Sequence, residues 1–260
     1  MIQLDFGFGS VEAEFWRLLF AMTRIGGAML AAPLFGAGNV PPQLRVILTG
    51  ALAVLVCAWT PLQAPPALFS AQGILMVAGE VLVGLTLGFV LQLSFAAPVI
   101  AAEIIGGTMG MAMATSVDPN SGTQSPALGQ YFGVVLTVIF LALGCHLQWI
   151  GLLVESYKVF PPGQTWLGAD KFSEILGFGT TMFVTAVAMA LPVTLVLFVV
   201  QVVTGVLSRS APALNLFALG LPAGVLAGIA ALIISAPLLT DQMTDLAANA
   251  ISETRSVVSQ

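Results

Sequence analysis

Few side chains in this sequence have the chemistry for catalysis or ion binding, and they stand far apart. His146 is the single histidine, which excludes a metal site or a proton relay built from several histidines. Cys57 and Cys145 lie within apolar runs, where we expect them to be buried as small hydrophobic residues. The sequence has no catalytic triad, carboxylate pair, phosphate-binding loop or dinucleotide fingerprint. It therefore predicts no enzymatic activity, no cofactor and no metal.

Two carboxylates, Glu80 and Glu103, stand at the two ends of one apolar run. A carboxylate in the middle of a membrane costs several kcal/mol unless it is paired or hydrated. Each of these side chains could line a channel, or reach the membrane interface from the end of its run. The sequence leaves both interpretations open.

Residues 103–126 form a segment that is difficult to accommodate in an ordinary helix. Three glycines there are poor helix-interior residues, at roughly 1 kcal/mol each relative to alanine: Gly106, Gly107 and Gly110. Pro119 then forces Asp118 into an extended or turn conformation. Non-helical backbone at membrane depth is tolerated only when protein surrounds it or when it lines a water-filled cavity.

Three methionines alternate with small residues in this segment: Met109, Met111 and Met113. In an extended chain their thioethers would all project to one side, and methionine adapts to irregular gaps. Such a surface would suit a pore that closes and later accommodates varied cargo. The alternative is a helix end with methionines as core filler, followed by a polar loop. Periodicity does not decide between the two.

The composition predicts that these residues are carried by membrane-spanning segments. Of the 260 residues, 58% are hydrophobic and 7% are charged, and the mean hydropathy is +1.03. Soluble domains carry about 25% charged residues, so the sequence predicts an integral membrane protein. Five stretches of at least 22 residues contain no Asp, Glu, Lys or Arg: 46–79, 81–102, 119–154, 175–208 and 210–240. Each is long enough to cross a bilayer core of ~30 Å, which takes about 20 helical residues.

Six apolar segments can be drawn, at 13–34, 44–60, 74–102, 127–153, 176–207 and 213–239. Because isolated strands cannot satisfy their backbone in lipid, we predict an all-α fold in a single unit. Prolines and glycines within several segments predict breaks and close helix contacts. The small-xxx-small spacings are Gly84/Gly88, Gly129/Gly133 and Gly220/Gly224/Gly228. The pattern suits a subunit of a larger assembly or a transporter core.

Charge excludes another class of partner. The chain carries 7 Lys and Arg against 12 Asp and Glu, a net charge of −5. Its basic residues are scattered singly, whereas phosphate binding requires clustered Lys and Arg. The sequence therefore predicts no nucleic-acid binding.

The most specific pattern lies at residues 208–222. An arginine is followed there by Pro-x-x-Asn-x-Phe-x-x-Gly-x-Pro, formed by Arg209, Pro212, Asn215, Phe217, Gly220 and Pro222. This run resembles the signature of the FliR family, flagellar biosynthetic proteins of the type III export gate. Other pieces agree in order: Pro33-Leu-Phe35, residues 40–45, Glu80 with Gly84 and Gly88, Gly106 to Gly110 before Asp118-Pro119, and Gly144-Cys-His146. Cys145 stands where the family often has a second glycine.

The resemblance implies a function and partners. It implies a core subunit of the flagellar type III export gate, present in one copy, which completes a closed helical channel with FliP and FliQ. FlhB and FlhA would act beside it in the basal body, in the bacterial inner membrane. The cargo would be unfolded flagellar export substrates. Residues 1–165 would be the FliP-like part, and residues 166–260 the FliQ-like helical hairpin and tail.

The resemblance also implies roles for individual residues. A plug loop at 106–122 would seal the pore before export, with plug or lining residues Gly106, Gly107, Gly110, Asp118 and Pro119. In the family the main methionine gasket belongs to a partner subunit, and our own hypothesis is that Met109, Met111 and Met113 add to the plug or lining. Packing against partner subunits would fall to Arg209, Pro212, Asn215, Phe217, Gly220, Pro222, Gly84 and Gly88.

Three alternatives remain open from the sequence. The injectisome counterpart of the same family is the nearest. A secondary transporter with broken helices around a midplane site would explain the prolines, the glycines and the isolated Glu103. A purely structural membrane scaffold without a pore is the third.

Overall fold

The computed structural model of the chain describes residues 10–38, 40–60, 62, 70–110, 127–163, 169–210 and 216–258. Within them the chain forms seven α-helices and no β-strand, which confirms the predicted all-α class. The helices are α1 (Ser10–Ala31), α2 (Pro42–Trp59), α3 (Ala71–Thr108), α4 (Ala127–Ala142), α5 (Cys145–Val159), α6 (Ala169–Ser210) and α7 (Leu216–Val258).

The long helices contain prolines without ending at them. Pro98 lies inside α3, Pro192 inside α6, and both Pro222 and Pro237 inside α7. A proline removes one backbone donor and frees one carbonyl, while the turns on either side remain hydrogen-bonded. In long apolar helices this local loss is tolerated. The predicted breaks therefore do not fall at these four residues.

A glycine marks the break that does occur between α4 and α5. Gly144 has φ +67°, the left-handed conformation that glycine adopts without steric cost. The segment 127–153, expected to be one apolar helix, is thus two helices. With 27 glycines in the chain, no local pattern distinguishes Gly144 from the others beforehand.

The helices contribute to two compact units. The first consists of the described residues in 1–94, 144–178 and 248–260, and the second of those in 95–143 and 179–247. Because the boundary cuts through α3, α6 and α7, each long helix belongs partly to each unit. The division into a FliP-like 1–165 and a FliQ-like 166–260 concerns resemblance to other proteins and stays a prediction.

Each unit has its own apolar core. In the first unit, Trp149 of α5 stacks on Phe35 at 5.8 Å between ring centroids and donates a hydrogen bond from Nε1 to Leu87 O at 3.3 Å. In the second, Phe95 and Phe140 meet edge to face at 5.3 Å. These aromatic pairs fix how α3 packs against its neighbours within each unit.

Four helical segments are long and apolar enough to cross a membrane: Pro42–Trp59, Ala71–Thr108, Ser173–Leu207 and Pro222–Val258. The number rises to five if the broken pair α4 and α5 forms one span. Many large apolar side chains on these helices are exposed, including Trp59, Phe183 and Ile234. Exposed apolar surface of this extent supports the prediction of a membrane protein.

Candidate functional site

The first part of the predicted plug loop lies at the end of α3. Gly106 and Gly107 are helical, and α3 continues to Thr108. Gly110 follows with φ +82°, in the left-handed region, and its N–H bonds the carbonyl of Gly107 at 3.1 Å. The glycines therefore do not interrupt the helix as their propensities predicted, and the turn begins after residue 108. Met111, Met113, Asp118 and Pro119 lie outside the described residues.

Met109 is packed inside the second unit. Its side chain is 4% exposed and lies against α7 at Gly228. A Cβ at Gly228 would stand 2.5 Å from Met109 Cγ and 2.8 Å from its Sδ, while one at Gly224 would stand 3.2 Å from Met109 O. Two glycines one turn apart thus form the surface that receives the end of α3. For Met109 alone, the core-filler interpretation describes the contact.

A side chain of α6 also holds the end of α3. Gln201 donates a hydrogen bond from Nε2 to the carbonyl of Thr108 at 2.8 Å. The last carbonyls of a helix have no partner within it, so this bond satisfies one of them. The end of α3 is therefore held by α6 and by α7 within the second unit.

Two of the predicted partner-packing glycines lie at a contact within the chain. A Cβ at Gly84 would collide with the carbonyl oxygen of Arg24 in α1 and stand 2.9 Å from Ala28 N. A Cβ at Gly88 would stand 2.5 Å from Ala28 O. Both glycines let α1 and α3 approach closely, as small residues do between membrane helices.

The other predicted packing residues stand around the connection from α6 to α7. Arg209 is exposed in the last turn of α6, Gly220 is half-buried, and Pro222 is exposed inside α7. Pro212 and Asn215 lie outside the described residues, as does the side chain of Phe217.

A buried polar cluster in the first unit centres on Arg24 of α1, which is 1% exposed. Its Nε and Nη2 both lie 2.8 Å from Oε2 of Glu80 in α3. Nη1 donates to Ser156 O at 2.8 Å and to Ser156 Oγ at 3.2 Å, and Nη2 donates to Phe160 O at 2.9 Å. All three nitrogens of the guanidinium are therefore hydrogen-bonded, as a charge in an apolar interior requires.

Tyr157 and the turn after α5 complete this cluster. The Arg24 guanidinium carbon lies 4.3 Å from the centroid of the Tyr157 ring, within cation–π range. The Tyr157 hydroxyl donates to Ala21 O at 2.6 Å. Gly163 N–H donates to the second Glu80 oxygen at 3.2 Å. The cluster thus ties α1, α3 and the end of α5 together.

The described residues offer no constellation for metal-dependent catalysis. Nowhere among them do three His, Cys, Asp or Glu side chains converge as a metal site would need. Cys57 and Cys145 are free thiols; Cys145 is buried as expected, whereas Cys57 is only half-buried. His146 Nδ1 is buried, and it neither donates nor accepts a hydrogen bond among the described residues.

Comparison with known proteins decides the family. Residues 15–250 match the family described as bacterial export proteins, family 1. The chain belongs to this family.

Relatives within the family align over most of their length. The chain is 30% identical to the flagellar biosynthetic protein FliR of Escherichia coli K12 over 246 residues, 92% of each chain. It is 31% identical to FliR of Bacillus subtilis 168, covering 82% of this chain and 83% of the relative. It is also 29% identical to the surface presentation of antigens protein SpaR of Shigella flexneri, covering 76% of each. The resemblance to FliR seen at residues 208–222 is thus confirmed.

The Arg24 cluster was not predicted from the sequence, and neither interpretation of Glu80 given above describes its buried pairing with Arg24. Arg24 and Glu80 are each isolated charges in apolar surroundings, fifty-six residues apart. Two lone opposite charges in separate apolar segments are candidates to pair, because an unpaired charge there is costly. That signal was present, but neither periodicity nor a local motif connects the two residues.

Proposed function

We propose that the chain is a non-enzymatic core subunit of a flagellar type III protein export gate. It completes a closed helical channel with FliP and FliQ, beside FlhB and FlhA, in the inner membrane at the flagellar basal body. Unfolded flagellar proteins pass through the channel, and the loop at residues 106–122 seals it at rest. No cofactor takes part.

Family membership is the observation that carries this proposal. The match covers residues 15–250, and the FliR relatives align over most of their own length. A chain that matches export proteins almost from end to end has little sequence left for an unrelated activity. The scarcity of catalytic side chains agrees with a role in forming a conduit.

The length of the exposed apolar surface supports assembly with other subunits. In α6, large apolar side chains are exposed from Leu176 to Leu207, a distance of about 46 Å at ~1.5 Å per residue. A bilayer core of ~30 Å covers about 39 Å of a helix tilted by ~40°. Lipid alone therefore leaves part of this surface uncovered. Protein partners with apolar faces would cover the remainder.

The contacts at the end of α3 support the plug proposal. Met109 on Gly228, and Gln201 on Thr108, fix the point from which the loop leaves the helix. Gly110 allows the chain to turn there, since its positive φ costs glycine little.

Size after extraction in mild detergent tests the assembly. The chain, tagged and expressed in its native bacterium, should elute in one complex with FliP and FliQ. A monomer or small homo-oligomer of normal stability would contradict the gate and favour a secondary transporter. Because the exposed apolar surface requires partners, we expect the chain to be poorly stable when expressed alone.

The injectisome counterpart is the second candidate, favoured by the similarity to SpaR over 76% of both chains. The flagellar relatives align over a larger share of the chain, up to 92%, which favours the flagellar assignment. Deletion of the gene for this chain distinguishes the two assignments. A flagellar gate subunit predicts loss of motility and of flagellar export. Normal motility with loss of injectisome secretion would support the second candidate.

A further inference from the structure

The two carboxylates of α3 differ in what surrounds them. Glu80 and Glu103 are the only ionisable side chains of this 38-residue helix. Glu80 is buried and paired with Arg24. Glu103 is exposed, and within the described part of the chain no basic side chain pairs with it. One carboxylate thus has its cation and the other does not.

None of the described basic side chains in the rest of the chain forms an ion pair with Glu103. The segments outside the description contain no Lys or Arg, and the side chain of Lys171 is the only basic one left undescribed. In the second unit Arg209 is the single basic residue, and it does not pair with Glu103. Because none of the described basic side chains pairs with Glu103, we look to another molecule for its cation.

Glu103 lies near the C-terminal end of α3, where a nearby positive charge is favourable. It stands five residues before Thr108, the last residue of α3, and the final turn has no basic side chain. The C-terminal end of a helix carries about −0.5 of an elementary charge, so a carboxylate near it is unfavourable without a counter-charge. Apolar residues occupy the same face, including the half-exposed Val99 and Ile100.

The surface beside Glu103 has room for a closely packed helix. Gly107, one turn further on the same face, is exposed, and a Cβ there would meet nothing within 4 Å. Gln201 of α6 is exposed nearby and donates a hydrogen bond from its Nε2 to Thr108 O. Its Oε1 accepts no hydrogen bond from the described residues, so α6 presents an acceptor beside the end of α3.

We propose that Glu103 binds a basic side chain, arginine or lysine, on a helix of a neighbouring gate subunit that packs against α3 at Gly107. The inference rests on the proposed function, since it needs an assembly. It deepens that function by naming the contact through which the end of α3, where the plug loop begins, is fixed to a partner.

Recovery of the detergent-extracted complex from cells that express the full set of gate subunits tests this proposal. Glu103→Lys should reduce the recovered complex at least about tenfold, because like charges would then meet at the contact. Glu103→Gln keeps the size and loses the charge, so we expect a smaller loss of about threefold. Photo-crosslinking from position 103 identifies the basic residue of the partner that contacts it. Changing that residue to an acidic one should restore recovery of the complex with Glu103→Lys.

Glu155 provides the matched control. It is an exposed carboxylate of α5, with Lys158 one turn away in its own chain. Glu155→Lys should leave recovery unchanged. Normal recovery of the complex with Glu103→Lys would overturn the proposal. If the conductance of that variant is altered as well, Glu103 faces water instead. If the unchanged chain forms no complex at all, the proposed function fails first, so the two failures are distinguishable.

Discussion

Arg24 and Glu80 form a buried ion pair between α1 and α3, with Nε and Nη2 of the guanidinium both 2.8 Å from one carboxylate oxygen. The side chains are 1% and 3% exposed. Three further acceptors on the end of α5 take up the remaining donors of Arg24. Because every donor nitrogen is bonded, the charge is tolerated in an apolar interior, and it specifies how three helices meet.

Removing one partner of this pair should be strongly destabilising. Glu80→Ala leaves the guanidinium buried without a counter-charge, so we expect a loss of about 3–5 kcal/mol in the free energy of unfolding. Arg24→Lys keeps the charge but has three donors in place of the five of arginine, so it should be intermediate. Thermal unfolding of the detergent-extracted complex that contains each variant measures both.

The exposed pair of Arg17 and Glu14 is the control for these variants. Its distance is 3.2 Å, but the Glu14 side chain is 67% exposed. Glu14→Ala should change stability by no more than about 1 kcal/mol. Equal effects of Glu80→Ala and Glu14→Ala would show that the buried cluster has no special structural role.

Close contact between α1 and α3 should make Gly84 intolerant of a side chain. A methyl group there would collide with the Arg24 carbonyl, a backbone atom that cannot move without moving α1. We expect Gly84→Ala to cost about 1–3 kcal/mol, in the range of overpacked cores. Gly79→Ala, in the same helix with open space around it, should be neutral or stabilising by about 1 kcal/mol. Indistinguishable unfolding midpoints for the two variants would refute the close contact.

How much of this arrangement was predictable depends on the range of the interaction. Apolar runs locate helices, because helix formation in an apolar medium is a local requirement of the backbone. The family signature at residues 208–222 was likewise readable locally. The pairing of Arg24 with Glu80 and the contact of Met109 with Gly228 join distant residues, and local periodicity contains no information about them. The continuation of α3 through Gly106 and Gly107 was missed because a cost of roughly 1 kcal/mol per glycine is small beside the need of a long apolar helix to keep its backbone hydrogen-bonded.

The contact of Met109 with Gly228 predicts coupled substitutions. Gly228→Ala would place a methyl group 2.5 Å from Met109 Cγ, so the methionine must shift, at about 1–2 kcal/mol. In a Met109→Ala background the same change should cost much less, because the space is then free. Unfolding of the two single variants and the double variant measures the coupling. Strictly additive effects would mean that the two residues do not meet in the assembled protein.

The plug proposal predicts leakage when the loop is removed. Deletion of residues 106–122 would remove the last turn of α3 and the packed Met109 together with the loop, so a leak from that variant alone would be ambiguous. Replacement of residues 111–122 by a Gly/Ser linker of equal length keeps the helix end and its contacts with Gln201 and Gly228. If this stretch seals the pore, both variants should depolarise cells and raise the conductance to small ions while the complex is still recovered. The contrast matters because a leak only in the deletion would trace to the damaged helix end. Unchanged membrane potential and conductance in both variants, with the complex intact, would remove the plug role and leave a passive lining of the conduit.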